Sequence, residues 1–85
     1  MNNPEWSIKI FLNVSLDSVD RSIIDAMSTI RFLKVHEIRT IMQYNGVFIG
    51  YGELSARIKI LSILSIVEKR KTSRVYSYRL SGTIE

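Results

Sequence analysis

Hydrophobic and polar residues alternate near the start of the chain. In residues 7–16 every second position is Ile, Leu or Val, from Ile8 to Leu16. This period of two is typical of a half-buried β-strand. An exposed apolar strand edge also invites pairing with a second copy of the chain. We therefore predict an N-terminal strand that contributes to a homodimer.

The apolar positions then recur every three or four residues, which is the period of a helix. They are Val19, Ile23, Met27 and Ile30. Asp17 or Ser18 is a suitable N-cap, because an Asp or Ser side chain accepts hydrogen bonds from the free N–H groups of a first turn. The pattern predicts a first helix over residues 18–31, and a short strand near Leu33 is expected to follow it.

A second amphipathic pattern begins after Lys34. Its apolar positions are Val35, Ile38, Ile41 and Met42. Asn45 and Gly46 are expected to end this helix, since both tolerate the left-handed conformation found at helix C-termini.

The third helix is predicted to begin between Gly50 and Glu53 and to run to residue 66. Leu54, Ile58 and Leu61 lie four and three residues apart and form its core-facing stripe. Small and polar residues on the opposite face would let the helix approach a groove wall closely. The apolar residues at the end of this helix and just after it are expected to pack into the core: Ile63, Leu64, Ile66 and Val67.

A hairpin is predicted to follow, with Tyr76, Tyr78 and Leu80 on one face and Val75, Ser77 and Arg79 on the other. Its turn, Thr72-Ser73, lacks the Gly or Asn that favours positive φ. We therefore expect a loose, mobile tip.

Charge is concentrated in the same C-terminal third. The chain has a net charge of +4, but residues 57–79 alone carry +6 and the remaining residues sum to −2. Positive charge gathered on one helix and an adjoining turn is the expected electrostatic footprint of a DNA-binding module.

Three segments carry a family resemblance: Arg57-Ile58-Lys59-Ile60-Leu61, Ser65-Ile66-Val67-Glu68-Lys69-Arg70 and Arg74-Val75-Tyr76-Ser77-Tyr78-Arg79-Leu80. Together they resemble the recognition helix and two-stranded wing of winged helix-turn-helix proteins, such as ArsR-like and MarR-like regulators and small regulators of archaea and their viruses and plasmids. The resemblance implies an α+β fold with three helices, a C-terminal β-hairpin wing and, here, an additional N-terminal strand. It departs from the family between the second and third helices, where residues 45–52 replace the usual turn of three or four residues.

The resemblance also implies a function. We expect residues 1–85 to form one domain, with the winged-helix core in residues 17–80, that binds double-stranded DNA sequence-specifically and regulates transcription, as a repressor occupying a promoter. The expected DNA-binding residues lie on the third helix and the wing: Tyr51, Ser55, Ala56, Arg57, Lys59, Lys69, Arg70, Lys71, Ser73 and Arg74.

Blander interpretations remain open for these residues. The third helix would then be a core helix with a solvated face, and the hairpin cations would only blunt a sheet edge. Two rival functions also remain: a winged-helix adaptor that binds proteins, and a ribbon-helix-helix protein that reads DNA with its N-terminal strands. Against the adaptor, a protein that only binds proteins does not require its cations to be concentrated on the third helix and the hairpin. Against the ribbon-helix-helix fold, that fold does not account for the C-terminal hairpin.

Composition narrows the other possibilities. The chain has 85 residues, no cysteine and one histidine, His36, which we interpret as solvated. Thiolate metal sites and disulfides are thereby excluded. Nucleophile, phosphate-loop and acidic-cluster motifs are missing from the sequence, so we expect no enzyme activity and no cofactor. Its longest apolar run falls short of a membrane span, and no leader is recognised, so we predict a cytoplasmic protein associated with the nucleoid.

Overall fold

A computed structural model describes residues 16–82 of the chain. It consists of three helices followed by an antiparallel hairpin: α1 (Ser18–Ala26), α2 (Val35–Tyr44), α3 (Tyr51–Ile63), β1 (Val67–Thr72) and β2 (Val75–Leu80). The strand predicted for residues 7–16 lies outside the described residues except for Leu16, and so does the dimer contact assigned to it. The described part is α+β, and its element order is compatible with a winged-helix layout.

Helix α1 is shorter than its apolar pattern predicted. Its N-cap is Asp17, which accepts from the N–H of Asp20, while the Asp20 carboxylate accepts in return from the N–H of Asp17. The helix ends because the Ser28 hydroxyl accepts from the N–H groups of Ile30 and Arg31, an arrangement that competes with helical hydrogen bonding. The prediction that Ile30 continues the core stripe was wrong, since this side chain is 82% exposed.

The early end of α1 lets the chain reach the hairpin. Leu33 forms a one-residue bridge with Tyr78, in which each N–H donates to the carbonyl of the other at 2.8 Å. A single bridge therefore stands where a short strand was predicted near Leu33. Leu33 thus lies beside β2. On its other side β2 pairs with β1, in a register that runs from Val67 opposite Leu80 to Thr72 opposite Val75.

Helices α2 and α3 end in the same way. In each, a residue with positive φ follows the last turn: Gly46 at 84° after α2 and Ser65 at 64° after α3. The next N–H donates back across the turn, from Val47 to Met42 and from Ile66 to Leu61. This is the Schellman motif. It confirms the predicted stop at Gly46, and it moves the end of α3 from the predicted residue 66 to Ile63.

The core lies between the three helices and the base of the hairpin. Six large side chains, drawn from all three helices, are less than 2% exposed: Ile23, Ile38, Met42, Leu54, Ile58 and Leu61. The predicted stripe of α3 is therefore confirmed. Ile66, Val67 and Tyr78 close the core from the hairpin side. Val67 and Tyr78 lie on the same face of the hairpin, since Tyr78 is two residues from Leu80, the partner of Val67.

Candidate nucleic-acid interface

One face of the hairpin changes from core to cationic surface along its length. At its base this face carries Val67 and Tyr78, which are buried, and β1 packs against α3. On the same face Lys69 lies directly opposite Tyr78, and the pair Lys71 and Tyr76 lies nearer the tip; these two lysines and Tyr76 are exposed. The two ammonium groups lie 4.9 Å and 5.5 Å from the centre of the Tyr76 ring, within the range of cation–π attraction. Because the face is continuous, these lysines lie on the α3 side of the hairpin.

The opposite face holds two arginines against one aromatic ring. The guanidinium groups of Arg70 and Arg79 lie 4.2 Å and 4.5 Å from the centre of the Phe32 ring. Stacking on a ring restrains a guanidinium and leaves the N–H groups at its edge available. Arg70 is therefore held in place without donating to any side chain in residues 16–82, whereas Arg79 also donates to Glu68 at 3.1 Å.

The hairpin turn is tight, so the prediction of a loose tip was wrong. Thr72 pairs with Val75, which leaves only Ser73 and Arg74 in the loop. Ser73 adopts a φ of 59°, the positive value that both primed turn types require at their first loop position. Serine accepts the left-handed conformation here although glycine would adopt it at lower cost. Both loop residues are exposed at the end of a short, regular hairpin.

Ion pairs divide the seven cations of residues 57–79 into two groups. Arg57 and Arg79 bind carboxylates within the protein. The other five form no ion pair with any described residue: Lys59, Lys69, Arg70, Lys71 and Arg74. Glu68 is the only acid of this segment. Because Arg79 neutralises it, the outer part of the hairpin presents unopposed positive charge.

Arg57 joins the N-terminus of α1 to α3. Its Nη1 lies 3.0 Å from carboxylate oxygens of Asp17 and Asp20, and its Nε lies 3.1 Å from Glu53. The N–H of Asp20 and the Arg57 guanidinium hold the pKa of Asp17 below its ordinary value. The same carboxylates, Asp17 first, raise the pKa of Arg57. Of the predicted DNA-binding residues, Arg57 is thus the one whose charge is already engaged.

The outward face of α3 is more apolar than predicted. Ala56 and Lys59 are exposed there, whereas Ser55 is half-buried at its flank. Ile60 and Ile63 are 56% and 80% exposed. The prediction that Ile63 returns to the core was wrong. The other three residues of that group do return to it: Leu64 packs against the core while half-buried, and Ile66 and Val67 are buried.

The N-terminus of α3 is open to solvent. Gly50 is the N-cap and makes no side-chain hydrogen bond, and Tyr51, the first helical residue, is 55% exposed. A Cβ at Gly50 or Gly52 would meet no heavy atom within 4 Å. The fold itself therefore has no steric need for glycine at either position. Arg39 holds the preceding loop to α2 by donating from Nε to the carbonyl of Ile49 at 2.8 Å.

Eight of the ten predicted residues are exposed on α3 and the hairpin. Ser55 is half-buried, and Arg57 is engaged by carboxylates. Sequence reasoning missed the ring of Phe32 and the exposed Ile60 and Ile63. The spacing of Glu53 and Arg57, four residues apart, was a signal for part of the Arg57 network. Phe32 gave no local signal, since its contacts come from residues distant in sequence.

Residues 16–82 also bear on two other kinds of site, a metal centre and a membrane span. This part of the chain has no group of three His, Asp or Glu side chains arranged to hold a metal ion, and none of its helices is long and apolar enough to cross a membrane. No known protein family matches the chain, and no curated protein matches it at a significant level.

Proposed function

We propose that the protein binds double-stranded DNA, with α3 against the major groove and the hairpin cations on the flanking phosphates. The observation that carries the proposal is the group of five cations that form no ion pair within residues 16–82, which extends from α3 to the tip of the hairpin. A folded protein gains little from like charges held together, since they repel one another. A polyanion relieves that repulsion and releases its own counterions on binding.

The aromatic rings that contact these cations also favour DNA binding. Arg70 is restrained by Phe32, and Lys69 and Lys71 lie close to Tyr76. A cation restrained before binding loses less conformational entropy when it contacts a phosphate. The acids that would repel DNA are neutralised by Arg57 and Arg79 rather than distributed over the same surface.

We propose that this DNA binding regulates transcription. A domain of this size on a promoter excludes other proteins from the same DNA, so repression is its simplest action. Homodimerisation through the N-terminal residues stays a prediction, and dimeric winged-helix proteins bind two half-sites whose spacing mirrors the protein's symmetry.

A protein-binding adaptor is the second candidate, and one observation favours it. Tyr44 and Phe48, near the α2–α3 loop, are 86% and 77% exposed. Aromatic residues are enriched at protein interfaces. They lie on the connection into α3 rather than on the hairpin, so a protein partner would leave the five cations unexplained.

Charge removal at matched positions tests the proposal. Lys71→Ala and Arg74→Ala should each weaken binding to a random-sequence duplex, measured by fluorescence anisotropy at low salt, and each should lower the dependence on salt by roughly one phosphate contact. Arg21→Ala is the control, because Arg21 is an exposed cation of α1 that forms no ion pair with another described residue. Equal affinities for all three variants, with unchanged melting temperatures, would reject DNA binding by the hairpin. Binding of the Tyr44→Ala and Phe48→Ala variants to DNA should remain normal.

A further inference from the structure

The chemistry of the outward face of α3 limits which base pairs it can recognise. Ala56 lies three and four residues before Lys59 and Ile60, and Ile63 lies four and three residues after them, so the four side chains share one surface of the helix. All four are exposed. Three of them are apolar, and together they form a strip along the part of α3 that leads toward the hairpin.

Side chains that read purines by hydrogen bonds are scarce on this helix. Guanine is usually recognised by Arg and adenine by Asn or Gln, each through two hydrogen bonds. Residues 51–63 contain no Asn or Gln, and their only arginine, Arg57, is engaged by three carboxylates. Lys59 is the one cationic donor on the outward face. The feature of the major groove that an apolar strip can recognise is the 5-methyl group of thymine.

Building on the proposed DNA binding, we propose that α3 selects sites rich in thymine, with Ala56, Ile60 and Ile63 covering thymine methyl groups in the major groove. Contact with a methyl group removes apolar surface of both partners from water, and this is favourable without any hydrogen bond. Specificity then comes from the apolar strip, while Lys59 and the hairpin cations supply attraction to the backbone.

The size and surroundings of the strip favour DNA over a second copy of the chain. A stable protein interface buries roughly 800 Å² on each partner, far more than two isoleucines and one alanine can offer. The strip is also bordered by Lys59 on α3, and the α3 side of the hairpin carries Lys69 and Lys71. This cationic border complements the phosphates on either side of a groove.

Uracil substitution tests the proposal directly, because it removes the 5-methyl group and keeps the base-pairing edge. Short A·T duplexes that contain thymine or uracil at the same positions are compared by fluorescence anisotropy. We expect affinity to fall about fourfold for each methyl group that loses its contact, the factor that corresponds to one buried CH₂. A G·C duplex should correspondingly gain affinity when its cytosines carry a 5-methyl group.

Two isoleucine variants assign the effect to the strip. Ile60→Ser should lower the preference for thymine over uracil by about fourfold, the factor for one methyl contact, with an unchanged melting temperature because Ile60 is exposed. Ile30→Ser is the matched control, since Ile30 is also exposed but lies outside α3; it should keep the preference for thymine. This comparison removes any effect of uracil on the stiffness of the duplex itself.

The outcomes separate the two proposals. Salt-dependent binding with equal affinity for thymine and uracil duplexes would overturn the thymine proposal and leave DNA binding intact. An absence of binding to every duplex would overturn both. If Ile60→Ser converts a dimer to a monomer in sedimentation while the preference for thymine is unchanged, the strip is an interface between copies and the thymine proposal is wrong.

Discussion

Ser65 occupies a backbone position that glycine usually fills. Its φ of 64° closes the Schellman motif at the end of α3, just as Gly46 closes the one at the end of α2. In this conformation the Cβ of an L-residue crowds the following carbonyl, a cost that glycine avoids. The serine is retained although the position favours glycine, and the turn still directs Ile66 into the core.

Replacing Ser65 should reveal this cost. We expect Ser65→Gly to raise the free energy of unfolding by about 0.5 to 1 kcal/mol, because the relief of crowding exceeds the added freedom of the unfolded chain. In a domain of this size the melting temperature should rise by roughly 2 to 8 °C. Ser62→Gly is the control within the helix and should lower stability. A lower melting temperature for Ser65→Gly would show that the serine side chain stabilises the turn.

At the scale of elements, the Arg57 network fixes α1 against α3. Asp17 begins α1 and Glu53 lies in the first turn of α3, so one guanidinium bridges two helix N-termini. Acids at helix N-termini are already favoured by the helix dipole. The network therefore fixes the orientation of the helix that we propose reads DNA.

The network should make stability depend on pH. Because the folded protein lowers the pKa of Asp17, the contribution of this group is present above the ordinary carboxyl pKa of about 3.9 and is lost as the pH falls through the lower folded value. Asp17→Asn keeps a good N-cap and removes the charge. Its melting temperature should be below that of the wild type at neutral pH, and the two should converge in acid. A difference that persists unchanged at low pH would contradict the assignment.

Helix α3 also offers a test of its open N-terminus. Gly52→Ala adds a methyl group in free space, so it should stabilise the helix by about 0.5 to 1 kcal/mol. If duplex DNA approaches this turn closely, the same methyl group should weaken DNA binding. Thermal melts and anisotropy on the same samples should therefore move in opposite directions. Unchanged affinity would mean that DNA lies away from the first turn of α3.

For the whole molecule, the features predictable from sequence were those set by local patterns. The core stripe of α3 and the stop at Gly46 follow from periodicity and from a residue's own conformational preference. The end of α1 did not, because it depends on the Ser28 hydroxyl and on the distant bridge between Leu33 and Tyr78. Likewise the excess charge was visible in the sequence, whereas the engagement of Arg57 required knowing that α1 begins beside α3.

The salt dependence of duplex binding tests the central claim most directly. The logarithm of the association constant should fall linearly with the logarithm of salt concentration, with a slope of about −0.9 for each phosphate neutralised. If each of the five cations that form no ion pair with a described residue neutralises one phosphate, the slope should be about −4.5 for each protein chain. A slope near zero, or no binding of duplex DNA at low salt by a protein with a normal melting curve, would contradict the account.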